Sequence, residues 1–413
     1  MSDLRPVPTR EECAALDAAD PLAGLREEFL LPEGVLYLDG NSLGALPRRA
    51  PERVREMVEQ EWGHGLIRSW NDAGWYGMPR RLGARLSPML GAAPGQVVVC
   101  DSTSVNLFKV LSAALRLRPG RRTVLAENAA FPTDLYITEG VTGVFDGARS
   151  VLLPSAADLD DHLGEDVAAV VLSHVDYRTG ELLDMAAVTE RVHRAGALMI
   201  WDVCHTAGAL PVEFDRCQVD FAVGCGYKYL NGGPGAPAFL YVAERHQADA
   251  RQPLSGWFGH ARPFAFEPGY EPVDGVGRFL TGTPPLLGMA ALDASLDVWE
   301  KVDLQAVRTK SLALTDLFMD LVEPLGLPVV TPRQQTLRGS QVALRHPDGY
   351  AVVQALIERG VIGDFRAPDL IRFGFTPLYL SYTDVWDSAR HLAEVLETGE
   401  WREERFTRRG AVT

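Results

Sequence analysis

Between residues 96 and 224 the chain repeats one pattern, a short unbroken apolar run followed by a stretch with apolar residues at helical spacing. The runs at 96–100 (QVVVC), 123–127, 150–153, 167–172, 197–201 (ALMIW) and 220–224 (DFAVG) lack the apolar–polar alternation of a half-exposed strand. Each is therefore predicted to be a strand buried on both faces. Helices are predicted between them, at 104–116 and at 184–195, where Gly196 stands at the C-cap. Strand–helix units in succession force right-handed crossovers and one doubly wound, mostly parallel sheet, so the fold class is α/β.

From about residue 297 the texture changes. A long charge-flanked helical stretch at 298–325 leads into a strand at 340–344, a helix at 350–359, a strand at 371–375 and a helix at 384–396. This predicts a large domain at 51–297 and a smaller α+β domain at 298–413, with an N-terminal arm (1–50) packing on the smaller one. Residues 252–285 are rich in Pro, Gly and aromatics without a period, and so long an irregular segment usually builds a site or an interface.

Composition removes several classes of partner. Acidic residues outnumber basic ones, 55 to 40, and no Lys/Arg-rich run offsets the net charge of −15, so nucleic acid and anionic membranes are poor partners. No apolar stretch reaches the roughly 18 residues of a membrane span. The first thirty residues mix acids, arginines and apolar positions, unlike a secretion signal. Five cysteines without a CxxC pair or metal-ligand spacing read as reduced thiols, which predicts a cytoplasmic protein and no metal site.

In parallel sheets ligands sit at the carboxyl ends of strands, and several strand ends here carry unusual residues. After Cys100 comes Asp101-Ser102-Thr103-Ser104, three hydroxyls at a helix N-terminus, which suits a phosphate but also plain N-capping. After 197–201 comes Asp202-Val203-Cys204-His205. An acid at a buried strand end needs a cationic partner, either a pyridinium nitrogen or a structural ion pair. After 220–224, glycines frame Tyr227-Lys228-Tyr229-Leu230-Asn231. Only four lysines exist, and Lys109 (mid-helix), Lys301 and Lys310 (in the charged connector) are poor candidates for imine chemistry, which leaves Lys228. Phosphate cup, ring acid and amine in this order describe a pocket for pyridoxal 5'-phosphate, with Phe131 and His205 placed to stack on its ring. Arg372, in an apolar strand, suits a substrate carboxylate or an internal ion pair.

These segments bear a family resemblance. With Tyr37-Leu38-Asp39-Gly40-Asn41-Ser42-Leu43-Gly44, Leu66-Ile67-Arg68-Ser69-Trp70-Asn71, Phe131-Pro132-Thr133-Asp134, Ser255-Gly256-Trp257-Phe258-Gly259-His260 and Arg372-Phe373-Gly374-Phe375, the chain resembles bacterial kynureninases nearly end to end. Those are pyridoxal-phosphate enzymes of the aspartate-aminotransferase fold type (fold type I). The resemblance implies hydrolytic β,γ-cleavage of L-kynurenine, with 3-hydroxy-L-kynurenine left open, to anthranilate or its hydroxy analogue and L-alanine in tryptophan degradation. It implies catalytic roles for Lys228, Asp202 and Tyr227. Cofactor contacts are implied for Thr103, Ser104, Phe131, Pro132, Thr133, Asp134, Ser173, His205 and, from the partner of a homodimer, Trp257 and Thr283. Arg372, His64 and Asn41 would meet the substrate. Cys204, where the family usually has a small apolar residue, is expected to face away from the ring.

Two enzyme rivals share the fold, an aminotransferase and a cysteine desulfurase. The second needs a nucleophilic cysteine late in the chain, and none follows Cys225. A pyridoxal-phosphate fold recruited only for binding would be expected to have lost the lysine or the ring acid, and both are present.

Overall fold

The computed structural model describes residues 7–410. Its centre is a seven-stranded sheet in the order Val97–Val99, Phe239–Val242, Phe221–Gly224, Leu198–Asp202, Val167–Ser173, Thr123–Glu127 and Arg149–Leu153. Neighbouring strands are parallel except at Phe239–Val242, which runs antiparallel to both of its neighbours. That strand is absent from the sequence reading. The chain returns to the sheet through a loop after Phe221–Gly224, without the helical crossover that parallel pairing usually uses, and the strand pairs antiparallel.

The sheet is buried on both faces, as its unbroken apolar strands require. Val98, Val124, Val171, Ile200 and Val223 face Leu107, Val110 and Leu111 of the helix Thr103–Leu117. Val97, Val99, Leu125, Leu172, Met199 and Trp201 pack with Val188 and Val192 of the helix Met185–Arg194 and with Leu292 and Leu296. Gly196 stands two residues past that helix at φ +75° and ends it.

Of the stretch expected as one helix at 298–325, the α-helical part is Leu304–Val322, and its first two residues instead end a preceding helix, Leu286–Trp299, that the sequence reading lacks. The break falls where the Asp303 carboxylate accepts from Gln305 N–H at 2.9 Å and starts the second helix. Beyond it, Gln341–Arg345, Leu370–Gly374 and Asp364–Arg366 form an antiparallel sheet of three strands. From the N-terminal side, Leu36–Tyr37 pairs in parallel with Val361–Ile362. A buried ion pair of Asp20 with Lys310 (2.7 Å) ties the same segment to the second of the two helices. No helix among the described residues is long and apolar enough to cross a membrane.

Candidate active site

The carboxyl ends of the parallel strands open into one cavity, of about 180 Å³. Thr103, Ser104, Phe131, Thr133, Asp134, Ser173, Asp202, His205, Tyr227 and Lys228 line it, and so do Val175, Tyr177 and Cys204. Each arrives by a local rule. Asp202 ends its strand and pairs in register with Ser173 of the neighbouring one. Its carboxylate then accepts from Cys204 N–H at 2.7 Å, which turns the chain sharply and brings His205 back over the strand end. Ser102 caps the helix Thr103–Leu117 by accepting from Val105 N–H at 3.4 Å. The capping duty thus falls to Ser102, leaving the Thr103 and Ser104 hydroxyls on the cavity wall, beside the positive end of a helix of 15 residues.

The lysine loop is held by close backbone contact. Gly44 N–H donates to the Tyr227 carbonyl at 2.8 Å, and a Cβ on Gly44 would lie 2.3 Å from the Lys228 carbonyl oxygen. Any side chain at position 44 would displace Lys228. The Lys228 amine is 2.9 Å from His205 Nε2 and 6.0 Å from the centroid of the Phe131 ring. Phe131 is half exposed at the mouth, edge-on to Tyr177 with ring centroids 5.2 Å apart.

Charge in the cavity is uneven. Burial, with Asp202 alongside, pushes the Asp134 carboxyl well above the usual carboxylate range, and its Oδ2 is buried without a hydrogen-bond partner. Burial and the charge of Lys228 hold His205 well below the usual histidine range, so the ring is neutral. Burial raises the Tyr227 hydroxyl far above its ordinary range, so it is a proton donor at neutral pH. Two carboxyls at one end, hydroxyls on a helix N-terminus at another and an amine between them fit pyridoxal phosphate. The ring nitrogen would meet Asp202, the phosphate would meet Thr103 and Ser104, and the aldehyde would meet Lys228.

Six residues expected at the site lie outside the cavity lining: Asn41, His64, Pro132, Trp257, Thr283 and Arg372. His64, Trp257 and Thr283 are exposed, and Pro132 is the exposed first residue of its helix. Asn41 is fully buried, and neither end of its amide has a partner. Arg372 is buried one layer back. Its Nε donates to Asp364 Oδ1 at 2.8 Å, its Nη2 donates to Ser42 Oγ at 2.9 Å, and Nη1 donates to the carbonyl of Tyr177. Here the internal ion pair is present, and the Tyr177 carbonyl stands between the guanidinium and the cavity wall.

One expectation is corrected. Cys204 faces the cavity, with Sγ 3.6 Å from Thr103 Oγ1, because the tight turn after Asp202 rotates it inward. Sequence reasoning also missed Tyr177, Asp364 and Gln341. The signal for Asp364 was available, since a buried arginine requires an acid. For Gln341 there was none.

The fold matches solved pyridoxal-phosphate enzymes of fold type I. A cysteine desulfurase from Thermococcus onnurineus NA1 superposes with a TM-score of 0.77 at 18% identity, covering 91% of this chain and 98% of that one. The cystine C-S lyase C-DES gives 0.76 at 19%, covering 88% and 98%. At such identity the likeness defines the fold alone.

Sequence comparison is sharper. Residues 307–392 match the family described as Kynureninase C-terminal domain. The kynureninase of Burkholderia pseudomallei (strain K96243) is 54% identical over 98% of this chain and all of that protein, and that of Pseudomonas fluorescens is 52% identical over the same shares. The chain belongs to the kynureninase family and, with it, to the pyridoxal-phosphate-dependent hydrolases of carbon–carbon bonds.

Proposed function

We propose that this chain hydrolyses L-kynurenine to anthranilate and L-alanine and acts in tryptophan degradation in the cytoplasm. The observation that carries the reading is the meeting of Lys228, Asp202, His205 and the Thr103 helix terminus in one cavity, in a chain 54% identical to a kynureninase along its length.

Pyridoxal phosphate, when bound, withdraws electrons from the substrate's α-carbon. Lys228 would hold the cofactor through Nζ, and its free amine would take the substrate's α-proton. Asp202 would keep the ring nitrogen protonated, and burial beside Asp202 favours the protonated form of the Asp134 carboxyl. Tyr227, protonated at neutral pH, donates a proton at the substrate's γ-carbonyl. Phe131 would cover one face of the ring, and Thr103, Ser104, Pro132, Thr133 and Ser173 would complete the cofactor's surroundings. Arg372 takes the substrate carboxylate, in exchange for the Tyr177 carbonyl on its Nη1, with Asn41 and His64 as the other substrate contacts.

The working unit of this reading is a homodimer with sites at its interface. Trp257 and Thr283 are exposed and lie off the cavity of their own chain, and Trp62, Leu66, Ile67, Phe264 and Phe266 are exposed as well. The domain division at residues 50 and 297 is part of the same proposal.

Purified protein loaded with pyridoxal phosphate should release an aromatic amine and L-alanine in equal amounts from L-kynurenine, and Lys228→Ala should release neither. Transamination of the substrate without amine release, or turnover by Lys228→Ala, would overturn the assignment.

A further inference from the structure

Lys228 leans on a histidine whose proton placement is decided elsewhere, in the small-lobe sheet. Gln341 opens the strand Gln341–Arg345 and pairs with Gly374, and its side chain is fully buried. Its Nε2 donates to the carbonyls of Asp176 (3.1 Å) and Tyr177 (3.0 Å). Two carbonyl acceptors allow one amide orientation only, with the NH2 toward them. Gln341 Oε1 therefore faces His205 Nδ1, at 3.1 Å. An amide oxygen accepts and cannot donate, so Nδ1 must carry the hydrogen. In a neutral imidazole the other nitrogen is then bare. That bare Nε2 is the atom 2.9 Å from the Lys228 amine.

We infer that Gln341 is a positioning residue: it fixes His205 as the Nδ1–H tautomer, so that Nε2 accepts a hydrogen bond from the freed Lys228 amine and holds it beside the ring. The opposite tautomer would donate its N–H to the amine's lone pair and so occupy the site that takes the α-proton. The lysine thus has a defined resting point whenever the substrate amine has displaced it, and this rests on the reading of Lys228 given above. The charged groups around His205 are Lys228 itself, Asp202 three residues before it, and Arg372 and Arg366 from the small-lobe sheet. Both arginines are cationic and favour a neutral ring, for which the choice of tautomer is meaningful. The Tyr177 carbonyl takes hydrogen bonds from both Gln341 and Arg372, so events at the arginine reach the histidine through one shared oxygen.

The tautomer is directly measurable by nitrogen NMR of protein labelled with 15N-histidine. Among the nine histidines, the His205 signal is assigned by its loss in His205→Gln. The expected pattern is a protonated Nδ1 and a bare Nε2, and a protonated Nε2 in the unsubstituted protein would overturn the inference by itself. Gln341→Met should then mix the two tautomers. It should also slow deuterium exchange at Cα of L-alanine in the holoenzyme about ten-fold, with KM for L-kynurenine within about three-fold, as expected for one lost hydrogen bond at the moving amine. An unchanged exchange rate in Gln341→Met would refute the role. If that variant does not fold, the tautomer of the unsubstituted protein still decides. If Lys228→Ala keeps full exchange, it is the lysine reading that fails. If Lys228→Ala loses exchange and Gln341→Met does not, only the present inference fails.

Discussion

Two of the four lysines, Lys109 and Lys228, are drawn to the strand ends of the seven-stranded sheet, and they should fail in opposite ways when removed. Lys109 is fully buried on the helix Thr103–Leu117; its amine pairs with Asp101 and donates to the Phe279 carbonyl at 2.6 Å. Lys109→Met keeps most of the volume and deletes the charge. Breaking a buried pair by removing one partner costs about 3–5 kcal/mol, and the Phe279 carbonyl left without a donor costs about 1–3 kcal/mol. The Asp101 side chain is 30% exposed, so water recovers part of the first figure, and a total near 4 kcal/mol is expected. The loss should reach the site as well. Asp101 sits at φ +48°, a conformation that costs a non-glycine residue about 1–3 kcal/mol and needs outside support. Without Lys109 the turn relaxes, and Ser102, Thr103 and Ser104 move with it. Denaturant unfolding of the apoprotein should show the stability loss. Cofactor titration should show weaker binding, with the visible band of the Lys228 imine still formed at saturation. Unfolding within about 0.5 kcal/mol of the unsubstituted protein would refute the argument, since it would mean that the buried amine supports nothing.

Lys228→Ala should do the reverse, abolishing the visible band and amine release while leaving the unfolding midpoint within a few degrees, checked by absorbance and thermal melts. Asp202→Asn keeps an oxygen for Cys204 N–H and so should fold, but without a carboxylate at the ring nitrogen kcat should fall about 10²–10³-fold in a steady-state assay. Burial pushes the buried His174 down to about 4. Between about pH 6.5 and 4 the unfolded chain therefore binds a proton that the folded chain does not, so stability falls as pH falls, by about 1.4 kcal/mol per pH unit. Denaturant unfolding at pH 7 and pH 5 should show a smaller loss in His174→Gln than in the unsubstituted protein.

The large sheet was legible because its signal is local. Val97–Val99 and Val167–Ser173 are apolar on both faces, and an acid, a glycine or a hydroxyl directly after such a run stands out against it. Asp202, Lys228 and Thr103 are of this kind. Phe239–Val242 is as apolar as its neighbours, but the helix-spaced stretch that would announce another parallel strand is missing ahead of it. The break at Glu300–Asp303 was hidden because apolar residues continue at helical spacing on both sides, and one capping carboxylate decides the outcome.

The rest of the site was illegible for a different reason. Gln341 lies 136 residues from the histidine it touches, and nothing in the sequence around it departs from an ordinary strand. The role proposed for it comes from the orientation of one amide, set by two carbonyls in the loop after the strand Val167–Ser173. Arg372 shows the same limit from the other side. Its burial demanded a partner, and the sequence could not say whether a substrate or Asp364 would supply it. In the folded chain Asp364 holds one edge of the guanidinium while Ser42 and the Tyr177 carbonyl occupy the other. Only the second edge is exchangeable, because taking a carboxylate there leaves the buried ion pair intact, whereas displacing Asp364 would strand a buried charge. An internal ion pair and a substrate-binding arginine are therefore compatible in this fold, as two edges of one planar group.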